Sequence, residues 1–176
     1  FMIAANIFVA QHFRAKDLPL LYRVHELPDP DKVRHFVTLA NIQGEDLKLP
    51  PQPSQQDLAE ALLKVQELPA GETLASLLLR ALAKAMYSEE PKGHFGLALD
   101  DYSHFTSPIR RYPDLFIHRV IKGYLNGNAK LDRWRREAPD VALSCSETER
   151  QAMYAEYDTI DLKAAEYMKQ YLGESF

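Results

Sequence analysis

Read for the spacing of apolar and polar positions, the chain is a series of helical periodicities interrupted by short extended stretches. Phe1, Ile3, Ala4, Ile7, Phe8, Ala10 and Gln11 open it as a helix expected to be largely buried, with no cap ahead of it. Leu20 to Glu26 is aromatic and β-branched, lies between Pro19 and Pro28, and predicts a strand or extended segment. On a strand, Arg23 and His25 share a face, where surface salt bridges are the expected use of both. Asp29 and Pro30 begin the next helix as cap and first-turn proline. Val33, Phe36, Val37 and Ala40 give its inner side, and Gly44 ends it. A stiff connector containing Pro50, Pro51 and Pro53 leads to Ser54-x-x-Asp57, a capping box in front of Leu58, Ala61, Leu62 and Val65. Pro69, Ala70 and Gly71 break that helix. Residues 72–87 predict another, with Leu74, Leu77, Leu78, Ala81, Leu82 and Ala85 inside. The stretch 30–87 reads as a helical insertion with a scaffolding role.

Beyond it, His94 to Leu99 predicts a short buried strand in which Gly96 permits close backbone approach. Pro113 fits the start of a helix. Leu115, Phe116, Ile117, Val120, Ile121, Tyr124 and Leu125 make that helix apolar nearly all round, so it is expected to be buried. Residues 126–145 predict a loop and a short basic helix anchored by Trp134. Ser146-x-x-Glu149 then predicts a cap for a long last helix over 146–172. Its residues Met153, Tyr157, Ile160, Ala164, Tyr167 and Tyr171 form one stripe expected to be buried, with Glu156 half-buried on the edge. The fold class that follows is α/β, helix-rich, mostly α with a few short strands.

A length of 176 residues suits one domain or a large piece of one, and 46% hydrophobic content permits a sizeable core. No run is long and apolar enough to span a membrane, and no signal peptide is visible. The lone Cys145 cannot form an internal disulfide, which fits a reducing, cytoplasmic compartment; a packed thiol is its expected state. No cysteine–histidine cluster has zinc spacing. The net charge of −4 argues against a general polycation, so any nucleic-acid contact must rest on local basicity. Two places supply it. Arg110, Arg111, Arg119 and Lys122 face Asp114 alone, and Lys130, Arg133, Arg135 and Arg136 face Asp132 and Glu137.

The densest chemistry lies between Asp101 and Leu115, with His118 and Arg119 behind it. Pro108 makes Ser107 extended or turn-like, and Pro113 does the same to Tyr112. Arg110 and Arg111 therefore stand on a braced connector, where two guanidiniums suit a planar anion such as phosphate or carboxylate. The structural alternative pairs them with Asp100, Asp101 or Asp114. Likewise His94 reads as a core histidine, and Asn6 as an asparagine satisfied by backbone.

The run His104, Phe105, Thr106, Ser107, Pro108, Ile109, Arg110, Arg111, Tyr112, Pro113, Asp114, Leu115, with His94 to Leu99 before it, resembles the signature of the RNase II/RNase R (RNB) family, RNase R above all. Met2 to Asn6, Leu21 to Glu26 and Glu149-Arg150 with Ala155-Glu156 resemble further segments in the same order. The resemblance covers the chain as the C-terminal half of an RNB catalytic domain: the insertion at 30–87, the signature at 94–125 and the long helix at 146–172. It implies part of a processive, hydrolytic 3′→5′ exoribonuclease that releases nucleoside 5′-monophosphates from single-stranded RNA. Magnesium would be held by aspartates in the other half of that domain, with an S1 domain following. No metal ligand is assigned here, and this stretch alone is expected to be inactive. Arg110 resembles the arginine at the scissile phosphate and is the candidate catalytic residue. Ser107, Arg110, Arg111, Arg119 and Glu156 are the candidate substrate contacts. In many relatives arginine follows the glutamate; here Tyr157 does. Two other readings are an RNA-binding relative without catalytic aspartates and a helical interaction scaffold.

Overall fold

A computed structural model describes residues 1–127 and 131–175. Six α-helices and one two-stranded antiparallel sheet are present among them: α1 (Met2–Ala15), β1 (Tyr22–Val24), α2 (Pro30–Ile42), α3 (Gln55–Gln66), α4 (Gly71–Ala81), β2 (Met86–Ser88), α5 (Tyr112–Leu125) and α6 (Leu131–Met168). Helix-rich α/β is thus the observed class. No helix among the described residues is long and apolar enough to cross a membrane.

Local chemistry accounts for the helix starts. Asp29 accepts hydrogen bonds from the backbone N–H groups of Asp31 and Lys32, and Pro30 opens α2. Ser54 and Asp57 form the reciprocal capping box of α3. Gly71 opens α4 hard against the end of α3; a Cβ there would lie 2.6 Å from the carbonyl oxygen of Val65.

The helices and sheet close two apolar cores. In the first, Val9, Ala10 and Phe13 of α1 meet Leu20, Leu21, Tyr22 and Val24 around β1, Phe116, Ile117 and Val120 of α5, and Ala138 and Ala142 of α6. The second is built by α2, α3 and α4 from Phe36, Ala40, Leu58, Ala61, Val65, Leu74 and Leu78. Phe95 packs on the second core, and His25 stacks between Phe95 and His94 at ring-centroid distances of 6.2 and 5.2 Å.

Several expectations are corrected. In α1 the inner face is Asn6, Val9, Ala10 and Phe13, whereas Phe1, Ile3 and Phe8 are exposed. Apolar side chains surround that helix, so the pattern does not select a face; hydrogen bonding does. Asn6 donates to the Tyr102 hydroxyl and accepts from the backbone N–H of Phe105. The helix expected over 72–87 stops at Ala81, and Met86–Ser88 pairs as a strand with Tyr22–Val24. Residues 94–99 are not a buried strand: a 3₁₀ turn, Phe95–Leu97, sits between isolated bridges at His94. Helix α5 is buried on one side only, and Leu125 is exposed.

The largest correction concerns α6. It runs unbroken for 38 residues through Pro139, at the cost of the backbone hydrogen bond proline cannot donate. Ser146 is therefore no cap but a buried mid-helix residue. Its hydroxyl donates to the carbonyl of Ala142 and accepts from the backbone N–H of Tyr87 in β2. Trp134 does anchor the basic stretch, edge-on to Phe116 at 5.3 Å. Arg133 pairs with Glu137 and Arg135 with Asp17, and Lys130 lies outside the described residues. Tyr157, Ile160 and Tyr167, expected in a buried stripe, are all more than half exposed, and Glu156 is exposed with them.

Candidate functional site

The turn ahead of α5 separates the two adjacent arginines. Backbone N–H groups of Arg110 and Arg111 both reach the carbonyl of Ser107, at 3.3 and 3.1 Å. Asp114, in the first turn of α5, is fully buried. One of its oxygens accepts from the backbone N–H of Ser107 at 2.7 Å and from the Arg111 guanidinium at 2.8 Å. A carboxylate at a helix N-terminus is also favoured by the exposed amide dipoles there. Arg111 is thus turned inward as the partner of a buried charge. Arg110 is exposed, with no hydrogen bond or ion pair to its side chain among the described residues. The structural alternative holds for the second arginine of the pair and not for the first.

Arg110, Arg111, Tyr112 and Pro113 form one wall of a cleft of about 280 Å³, and Tyr87, Cys145, Thr148 and Glu149 form the other. The cleft thus lies between the signature turn and α6, with β2 contributing Tyr87. Beneath it the Tyr87 hydroxyl and His104 Nδ1 are 3.0 Å apart. Burial pushes Tyr87 up to about 12, with the charges of Arg23 and Glu149 acting in opposite senses. His104 is pushed down to about 4, first by burial and then by the positive charges of Arg111 and Arg23. Arg23 of β1 lies over the Tyr87 ring, 4.7 Å from its centroid, and pairs with Glu149 at 2.6 Å. A surface ion pair was the expected use of Arg23, and it has one, although its side chain is only 14% exposed. His25 is not an ion-pair residue: its Nδ1 accepts from the backbone N–H of Gly96.

Of the candidate contacts, Ser107, Arg110 and Arg111 share one turn. Arg119 stands two helical turns beyond Tyr112 on α5, its guanidinium 5.8 Å from the Tyr112 ring centroid. Glu156 does not line the cleft; it lies on α6 two turns beyond Glu149, which does. Tyr87, Arg23 and Glu149 were not among the sequence candidates. Tyr87 was hidden inside a mistaken helix, and Glu149 was read as part of a helix cap and of a resemblance, with no sign of the cleft.

Chemically, the cleft offers one uncommitted guanidinium on a rigid turn beside a planar aromatic floor, which suits a phosphate ester. Among the described residues, no group of three or more His, Cys, Asp or Glu side chains is placed to hold a metal ion. The described residues therefore offer no donor set that fits magnesium.

A family model described as the RNB domain matches residues 1–127. Ribonuclease R 1 of Lactococcus lactis is 39% identical over 180 residues, covering 100% of this chain and 22% of that protein. Ribonuclease R of Thermotoga maritima is 40% identical over 181 residues, covering 100% of this chain and 26% of that protein. The apo form of Mycoplasma genitalium RNase R superposes with a TM-score of 0.90 at 29% identity, over 98% of this chain and 28% of that one. Yeast Ssd1, a pseudonuclease, superposes with a TM-score of 0.58 at 21% identity over 83% of this chain and 19% of that one, and shares the fold alone. The chain spans about a quarter of the length of the curated relatives it matches. With the family model matched over residues 1–127 and the signature turn folded around a buried Asp114, the chain belongs to the RNB family.

Proposed function

We propose that this chain supplies the phosphate-handling wall of a hydrolytic 3′→5′ exoribonuclease that releases nucleoside 5′-monophosphates from single-stranded RNA. The observation that carries the reading is the unequal treatment of the two arginines. Asp114 neutralises Arg111, while Arg110 keeps its full donor set at the mouth of the cleft. A preorganised cation in that position acts on charge that builds at a phosphate during reaction. Ser107 shapes the turn, Arg111 holds it in place, and Arg119 and Glu156 extend the RNA contact along α5 and α6. RNA-bound structures of Mycoplasma genitalium RNase R support RNA as the polymer. Magnesium would have to be held by side chains outside this chain, in the remainder of the RNB catalytic domain, with an S1 domain adding RNA contacts. We place the protein in the cytoplasm, where the half-buried thiol of Cys145 stays reduced.

The test is Arg110→Ala in the intact protein, with magnesium and labelled single-stranded RNA. Single-turnover rate should fall on the order of a hundred- to a thousand-fold, while RNA affinity changes little because many other phosphate contacts remain. Arg110→Lys should recover part of the rate, since lysine keeps the charge and loses the planar fork. Near-normal turnover in Arg110→Ala would overturn the reading. An intact protein that binds RNA tightly and never cleaves it would instead be an RNA-binding relative.

A further inference from the structure

The cleft contains a hazard for its own arginine. Glu149 is the one carboxylate among the described residues that line it, and it faces the same space as the uncommitted Arg110. A free carboxylate there would pair with Arg110 and take the place of a phosphate, because both anions fit the guanidinium fork. In the structure Glu149 is occupied. Its Oε2 accepts from Arg23, on β1, at 2.6 Å.

Arg23 is itself firmly placed. It lies over the Tyr87 ring at 4.7 Å, and that ring is fixed at both ends. The Tyr87 hydroxyl meets His104 Nδ1, and the Tyr87 backbone N–H donates to Ser146. Cation–π stacking is strongest where the cation is shielded from water, and the Arg23 side chain is only 14% exposed. The Glu149 side chain is 45% exposed, so its conformation depends on a partner rather than on packing.

We propose that Arg23 is a positioning residue that keeps Arg110 available to phosphate by holding Glu149 away from it. The proposal rests on the reading of Arg110 as the phosphate-contacting group. It assigns Arg23 a role that requires no contact with RNA.

The idea is tested in the intact protein with magnesium and labelled single-stranded RNA, using Arg23→Gln, Arg23→Lys and the double variant Arg23→Gln/Glu149→Gln. Arg23→Gln should lose about tenfold in single-turnover rate, the scale of one charge-assisted hydrogen bond competing for Arg110. KM should move little, as for Arg110→Ala. The double variant removes the competing carboxylate and should recover most of that rate, although it lacks the ion pair just as the single variant does. Arg23→Lys keeps a cation beside Glu149 and should stay within a few-fold of the parent.

A purely structural role predicts the opposite for the double variant. A double variant as slow as Arg23→Gln, or an Arg23→Gln variant with the parent rate, overturns the proposal. Unfolding of both, seen by circular dichroism, would make Arg23 a structural residue and overturn it too. Failure of the underlying reading looks different: Arg110→Ala would then keep its turnover, whatever the Arg23 variants do.

Discussion

At the scale of single residues, the informative feature is how differently two neighbours of one type are used. Asp114 is fully buried, and one of its oxygens serves both the Ser107 N–H and the Arg111 guanidinium. Asp114→Ala would strand a largely desolvated arginine and an amide hydrogen together. Removing one partner of a buried ion pair costs about 3–5 kcal/mol, so the variant should lose that much in urea-induced unfolding. A loss below about 1 kcal/mol would mean that the pair behaves as an exposed one. The run of residues carrying this turn was legible in the sequence. So was the i, i+3 spacing of Arg111 and Asp114. What the sequence did not disclose is which arginine Asp114 takes, because that depends on the backbone of the turn closing onto the Ser107 carbonyl. Arg23 and Glu149 are 126 positions apart and carried no local signal of their pairing.

At the scale of elements, capping chemistry was read correctly where it is self-contained and wrongly where a distant partner decides. The caps at Asp29 and Ser54 involve groups within three residues, and both form. Ser146-x-x-Glu149 shows the same pattern, yet α6 passes straight through it. The serine instead joins α6 to β2, accepting the Tyr87 N–H at 2.9 Å and donating to Ala142 at 2.8 Å. Periodicity also carried the α4 pattern on to residue 87. There the antiparallel pairing of Met86–Ser88 with Tyr22–Val24 overrides helical propensity, as tertiary contacts commonly do. Ser146→Ala tests the joint. It leaves a buried backbone N–H without a partner, which costs about 1–3 kcal/mol, and the melting temperature should drop accordingly. If Ser146 were a cap on a separate helix, the variant would also lower helical content over 146–168 in circular dichroism. The continuous helix predicts that content to stay constant below the melting transition.

At the scale of the whole molecule, helical content was legible, but the division into two cores was not. Each amphipathic face announces burial without naming the face that covers it. The stripe from Met153 to Tyr171 shows this most plainly: its period is regular, and most of it faces solvent. His25 stacks with His94 and Phe95, and His104 lies 3.0 Å from the hydroxyl of Tyr87, which lines the cleft. This gives the fold a pH dependence with a definite sign. His25, His94 and His104 are all held below the usual imidazole range, in each case first by burial. For His104 the charges of Arg111 and Arg23 act in the same direction, and Asp114 opposes them. A neutral imidazole in the folded state competes with a protonated one in the unfolded chain, which binds its proton near the ordinary value of 6.5. Below that value the unfolded state holds more protons, so stability rises with pH in this window. The contribution of His104 is therefore complete above about pH 6.5 and is lost as pH falls toward about 4. Thermal melts across that range should show a falling melting temperature. His104→Gln keeps an acceptor for the Tyr87 hydroxyl but cannot take up a proton near neutrality, so its melting temperature should fall less steeply over the same range. Carboxylates titrate in both proteins and cancel in the comparison. Parallel curves for the two would show that His104 is protonated in the folded state at its ordinary pH, and the buried Tyr87–His104 contact beneath the cleft would then be the wrong description of its floor.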